Sequence, residues 1–193
     1  MTRIAFTIYG KPKGKGRARA YKGRMITPKA TVDAENAIGW ECKLAMANAG
    51  VESGTGERMA IILGPVRVSI EAVFPIPKSW KPADRAAALT GRMDCISKPD
   101  KDNIEKLVLD ALSMVAWADD SQVTRGPVVK RYGEPARTEV TVEAISEADS
   151  PKSPAQRRLE AAWANGPPPP RSKRKSPPVP KKPGILSLPR RIR

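Results

Sequence analysis

The sequence predicts an α/β (α+β) protein: a single compact domain with a small mixed β-sheet packed by helices, then a disordered basic tail. Three observations carry this expectation. Apolar stretches with period-two alternation lie at both ends of the first 148 residues, segments of helical periodicity lie between them, and composition shifts sharply near residue 150. The 193 residues therefore divide into a domain of residues 1–148 and a Pro/Lys/Arg-rich tail of residues 149–193.

Each element has its own signal. IAFTIYG (4–10) alternates as a strand, and a loop rich in Gly, Lys and Arg runs from it to about residue 28. From Lys29 to Ala49, Val32, Ala37, Ile38, Trp40, Leu44, Ala45 and Ala47 suggest a long helix ending at Gly50. PVRVSIEAVFPIP (65–77) puts Val66, Val68, Ile70, Ala72 and Phe74 on one side of a strand, and a short helix follows from Pro82 to Leu89. Residues 103–116 form the best-patterned helix: Ile104, Leu107, Val108, Ala111, Leu112 and Val115 share a face, opposite Asp102, Lys106, Ser113 and Asp110. VTRGPVVKRYG (123–133) and TEVTVEAIS (138–146) read as two strands joined by a GEPA turn. In the tail, with its PPPP run and, from residue 151 on, a single acid, Glu160, too little apolar surface is available to offset the entropy of ordering. Only AQRRLEAAWAN (155–165) has a helical pattern there. The remainder reads as a charged linker or a nonspecific phosphate-binding arm.

Charge narrows the function. Thirty-five Lys and Arg stand against 20 Asp and Glu, a net charge of +15 with a pI near 10.2, which suits nucleic acid, an acidic partner or an anionic surface. No apolar run reaches membrane-spanning length, and MTRIAFTIYG opens as a strand rather than a signal peptide. Two cysteines, Cys42 and Cys95, make no disulfide framework and fit a reducing cytoplasm, bacterial or of a phage-infected host. The sequence contains no histidine. Serine and cysteine triads, HNH-type nuclease chemistry and the usual zinc sites are thereby excluded, leaving carboxylates, lysines and hard metals for any hydrolysis.

Against that basic background, SKPDKDNIEK (97–106) sets two aspartates one residue apart at a helix start. If residues 98–102 are extended, Asp100 and Asp102 project to the same side, and a divalent cation relieves their repulsion. Mg²⁺ prefers such oxygen ligands and keeps further positions for water and phosphate. Lys106 is four residues beyond Asp102, near enough to orient a water or offset charge on a phosphate. Ordinary helix capping by Asp102 explains the same residues without any metal. A second acidic pair, in WADDSQV (117–123), follows the helix, so that Asp119 or Asp120 could return towards the first pair; turn chemistry is the plainer account of it.

GKPKGKGRARAYKGR (10–24) spaces its cations with glycines, which lets the backbone approach phosphates closely. It lacks the G-K-[ST] of a Walker loop. Lys13, Lys15, Arg17 and Arg19 are the candidate DNA contacts there, joined by Lys98. Trp80, between Lys78 and Lys81, is a weaker candidate for stacking on an unpaired base.

PDKDNIEKLVLDAL followed by ADDSQV resembles the signature of the RusA family of Holliday junction resolvases, D-x-D-N-x-x-K, D-A-L, then D-D-x-Q-V. YGKPKGKGRARAYKGRMITPKA resembles the phage-type branch of that family, with its G-x-P-x-x-K-G-R-x-R loop and the T-P-K that opens the first helix. In order, these motifs cover most of residues 4–145. The resemblance implies a RusA-like fold and a homodimeric, Mg²⁺-dependent endonuclease, with Mn²⁺ able to substitute, that nicks two opposed strands of a four-way junction. It places Asp100, Asp102, Asp120 and Lys106 in the active site, the three aspartates as metal ligands. Where the founding member has an arginine run before the first aspartate, this chain has SKP, with Lys98 the only nearby cation. Two other readings remain: a noncatalytic DNA-binding or architectural protein, and the same chemistry on flaps, forks or other branched DNA.

Overall fold

The computed structural model describes residues 2–21, 23–49, 61–164 and 166. In chain order the elements are β1 (Arg3–Tyr9), a small hairpin of β2 (Arg19–Tyr21) and β3 (Arg24–Ile26), and α1 (Lys29–Asn48). Then come β4 (Val66–Phe74), α2 (Pro82–Leu89), α3 (Lys101–Leu112) and a 3₁₀ turn at Asp120–Gln122. β5 (Val123–Arg125), β6 (Val128–Tyr132), β7 (Arg137–Ala144) and α4 (Pro154–Trp163) complete the order. The result is the expected α+β domain, and the helix expected within 155–165 is α4. Most of the expected disordered tail, residues 167–193, lies outside the described residues, as does Gly50.

The strand VRVSIEAVF forms the middle of the sheet: its backbone is paired along both edges and its alternating apolar side chains are buried. β7 pairs antiparallel with one edge of β4 and β1 antiparallel with β7, while β5 and β6 pair parallel with the other edge. The two strands expected to be joined by the GEPA turn are thus separated by β4 rather than paired with each other. Stretch 123–133 is also two strands, not one. Gly126 breaks it at φ 144°, where a Cβ would fall 1.7 Å from the Val68 carbonyl oxygen. Pro127, which has no N–H, still accepts from Ile70 N–H at 2.9 Å and restarts the pairing.

Cross-strand register builds the inner face in rows, Ile4–Val142–Val68 and Phe6–Val140–Ile70. Ala34, Ile38, Cys42 and Met46 of α1 and Ile104, Leu107, Val108, Ala111 and Leu112 of α3 join those rows in one core. The α3 face from Ile104 to Leu112 is the one the periodicity predicts, although the helix spans Lys101–Leu112 rather than 103–116 and leaves Val115 beyond its end. Of the apolar residues that suggest α1, Ile38 is buried, but Trp40 is 68% exposed, and Val32 and Leu44 also face outward. Ala34, Cys42 and Met46, which carry a weaker hydrophobic signal, line its buried side with Ile38 at four-residue spacing. Burial pushes the Cys42 thiol up to about 12, so it packs as a neutral group.

Candidate active site

α3 opens on the first acidic pair. Asp100 is its N-cap, extended at φ −71° and ψ 158°, and Asp102 is in the first turn. An N-cap aspartate ordinarily accepts from an amide two or three residues on, but the Asp100 side chain makes no such bond. Neither carboxylate has a hydrogen-bond or ion-pair partner among the described residues, and both are exposed. Extended backbone reaches only Asp100. Asp102 is already helical, so the two carboxylates share the open end of a helix rather than one side of a strand. The positive end of the helix dipole favours them there. Lys106 is exposed one turn further along α3.

The second pair divides its labour. Asp119 caps the 3₁₀ turn by accepting from Ser121 N–H at 2.9 Å, within a reciprocal capping box with Gln122. Asp120 is exposed and accepts from the Trp117 indole N–H at 3.2 Å, which orients its carboxylate. Gln122 anchors the turn. Buried, it donates to the Ile62 and Gly64 carbonyls at 2.8 and 2.7 Å and accepts from the Ala118 and Asp119 amides, both at 2.9 Å.

The two acidic pairs do not meet within one chain. Ser97, three residues before Asp100, accepts through its carbonyl from Lys130 Nζ at 2.6 Å, and its hydroxyl lies 3.1 Å from the Tyr132 hydroxyl. Lys130 and Tyr132 are in register with Ala72 and Phe74 at the C-terminal end of β4. Val123, just past Asp120, is in register with Val66 at the N-terminal end. A 12-residue α3 covers roughly 18 Å between them at about 1.5 Å per residue. The expected return of Asp119 or Asp120 towards Asp100 is therefore not made in a single chain: the turn feeds β5 instead. No group of three or more His, Cys, Asp or Glu disposed to hold a metal occurs among the described residues.

The donor chemistry of Asp100 and Asp102 nevertheless fits a hard cation: two carboxylates, free of internal partners, beside positions open to water. Lys130 adds a positive charge behind this segment that its sequence position, within an ordinary strand, did not reveal. Lys98 is exposed. Trp80 packs edge-on against Tyr132, with ring centroids 5.0 Å apart, so its ring belongs to the domain rather than to a stacking platform.

The basic loop lies over the start of α3. Gly14 rests on Pro99 and Asn103, where a Cβ would come 2.6 Å from Pro99 Cβ, and Lys15 N–H donates to the Asn103 carbonyl at 2.8 Å. Lys13, Arg17 and Arg19 are exposed. Lys15 differs from them: its side chain is half-buried and its ammonium is bound to Asp110 and Glu35. The loop backbone thus crosses the helix start that carries the two exposed carboxylates.

Comparison with known proteins identifies the family of the chain. The family model described as Endodeoxyribonuclease RusA matches residues 9–143. The chain is also 33% identical over 149 residues to YqaN of Bacillus subtilis (strain 168), an uncharacterized protein, covering 74% of this chain and 97% of that one. No described helix is long and apolar enough to cross a membrane.

Proposed function

This chain belongs to the RusA endodeoxyribonuclease family, and on that premise we propose that it is a Mg²⁺-dependent, structure-selective endonuclease resolving Holliday junctions and other branched DNA in recombination and repair. The observation that carries this reading is the pair Asp100 and Asp102, left without partners at a helix start beside a docked cationic loop. In a chain of net charge +15, acids that neither cap nor pair weaken attraction to DNA, so a purely architectural role leaves them unexplained.

Asp100 and Asp102 would hold the ion, with Asp120 as a third ligand. When bound, the ion supplies a water of lowered pKa and stabilises charge on the leaving oxygen. Lys106 offsets negative charge gathering on the phosphoryl oxygens. Lys13, Arg17, Arg19 and Lys98 grip the phosphate backbone and hold the scissile strand over the carboxylates.

Asp120 lies too far along α3 to join the first pair in its own chain, so a homodimer is part of this reading. A second copy's Asp120 completes the carboxylate set, and two such composite sites match the two-fold symmetry of a four-way junction. The outward apolar stripe of Val32, Trp40 and Leu44 on α1 is a candidate pairing surface. Such an enzyme acts in the DNA-containing cytoplasm of a bacterial or phage-infected cell.

Synthetic four-way junctions, flaps and forks incubated with Mg²⁺ provide the test. Paired, symmetric nicks on the four-way junction are expected. A gel shift without cleavage of any substrate, with Mg²⁺ or Mn²⁺, would instead establish the noncatalytic DNA-binding alternative.

A further inference from the structure

The hold on the basic loop has an unusual source. Among residues 10–19 only Pro12 is buried, and beneath the loop lies a cavity of about 300 Å³ lined by Ile8, Ile38, Ile104 and Leu107, so hydrophobic packing secures little of it. Beyond Gly10, whose N–H donates to the Ala136 carbonyl at 2.9 Å, two backbone bonds touch down, Lys15 N–H to the Asn103 carbonyl and Gly16 N–H to Thr31 Oγ1 at 3.1 Å. Between them the Lys15 side chain reaches inward to Asp110 of α3 and Glu35 of α1. Glu35 Oε1 is 3.1 Å from the ammonium yet has no aligned hydrogen bond, so its attraction to Lys15 is Coulombic.

We propose that Lys15 is a positioning residue: its ammonium, shared by Asp110 and Glu35, docks the basic loop onto α1 and α3 and so fixes Lys13 and Arg17 beside Asp100 and Asp102. The assignment rests on the endonuclease reading and gives that site the device that sets its cations. A direct phosphate contact fits the charges less well. One ammonium against two carboxylates leaves the cluster net negative, and a phosphate would have to displace both acids from a side chain only 26% exposed. Lys13 and Arg17, exposed on either side, have no such competitors among the described residues.

The experiment uses the full chain and compares Lys15→Met, Lys15→Arg and the double variant Glu35→Gln/Asp110→Asn. Trypsin cleavage at loop sites, measured without DNA, is expected to accelerate on the order of tenfold in Lys15→Met and in the double variant, and to stay near wild type in Lys15→Arg. Single-turnover cleavage at saturating junction is expected to fall on the order of tenfold or more in the same two variants. The double variant is decisive because it makes the protein more basic: simple phosphate attraction predicts tighter binding and undiminished cleavage. Unchanged trypsin rates in the double variant overturn the dock. So does a Lys15→Met protein that cleaves at the wild-type rate but loses about one unit of salt slope in binding, the mark of a lost phosphate contact. If the double variant fails to fold by circular dichroism, Lys15→Met and its rescue by arginine decide alone. Wild-type protein that binds junctions without cutting them counts against the endonuclease reading, while the trypsin comparison still judges the dock.

Discussion

Two acidic pairs that look alike in sequence are used in opposite ways. Asp100 and Asp102 stand at the start of α3 with no partner among the described residues, whereas Asp119 and Asp120 are bound into a turn by an amide, a capping box and an indole. An aspartate that caps is stabilising its own backbone; one that stands free at a helix end keeps its lone pairs for something outside the fold. On the proposed reading the first pair is the reactive half of the site and the second mainly structural, with Asp120 alone oriented by the Trp117 indole.

The sharpest way to break this comparison is to ask whether the halves belong to one chain. Asp102→Asn and Asp120→Asn are each expected to lower junction cleavage about a hundredfold or more while binding is retained. Mixed and allowed to exchange subunits, the two inactive proteins should regain nicking, because a heterodimer with composite sites has one site free of both substitutions. If cleavage is not restored in a mixture shown to exchange, the composite site is wrong. Gln122→Ala comes next in size. Losing its hydrogen bonds should destabilise the fold by about 1–3 kcal/mol in urea denaturation, whereas Asp102→Asn should shift stability by less than about 0.5 kcal/mol.

Much of this arrangement was legible in the sequence where a single physical pattern dominates. The α3 face from Ile104 to Leu112 follows its 3.6-residue period, and β4 follows its alternation, so both emerged where expected. α1 was found, but its apolar residues did not say which side is buried: Trp40 and Leu44 face outward, while Ile38 joins Ala34, Cys42 and Met46 inside, near the close approach to α3 at Gly39. Sheet order was hidden for another reason: nothing local in residues 123–146 says that β4 will lie between β6 and β7. Among the site residues, motif order brought out Asp100, Asp102, Lys106 and Asp120. It could not reveal that α3 keeps Asp120 apart from the others, nor that Lys15 turns inward while its neighbours stay in solvent. Those are facts of tertiary distance, set by residues up to 95 positions away.

The smallest effect divides the two pairs most finely. Asp119→Ala removes a side chain that accepts from Ser121 N–H and shares a capping box with Gln122, and it should cost about 1 kcal/mol, within the usual range for a lost cap. Asp100→Ala removes a side chain at the formally equivalent position of a much longer helix, yet no bond is lost with it. Only the attraction of its charge to the helix dipole remains, a few tenths of a kcal/mol at an exposed site and screened by salt. The expected order in thermal or urea unfolding is thus the reverse of what helix length alone suggests: the three-residue turn suffers more than the 12-residue helix. Raising the salt should erase the Asp100 effect and leave that of Asp119, since a hydrogen bond is screened far less than an exposed charge. A loss at Asp100 as large as that at Asp119, and insensitive to salt, would mean that Asp100 caps α3 in solution after all, and the free carboxylate on which the site is built would be reduced to Asp102.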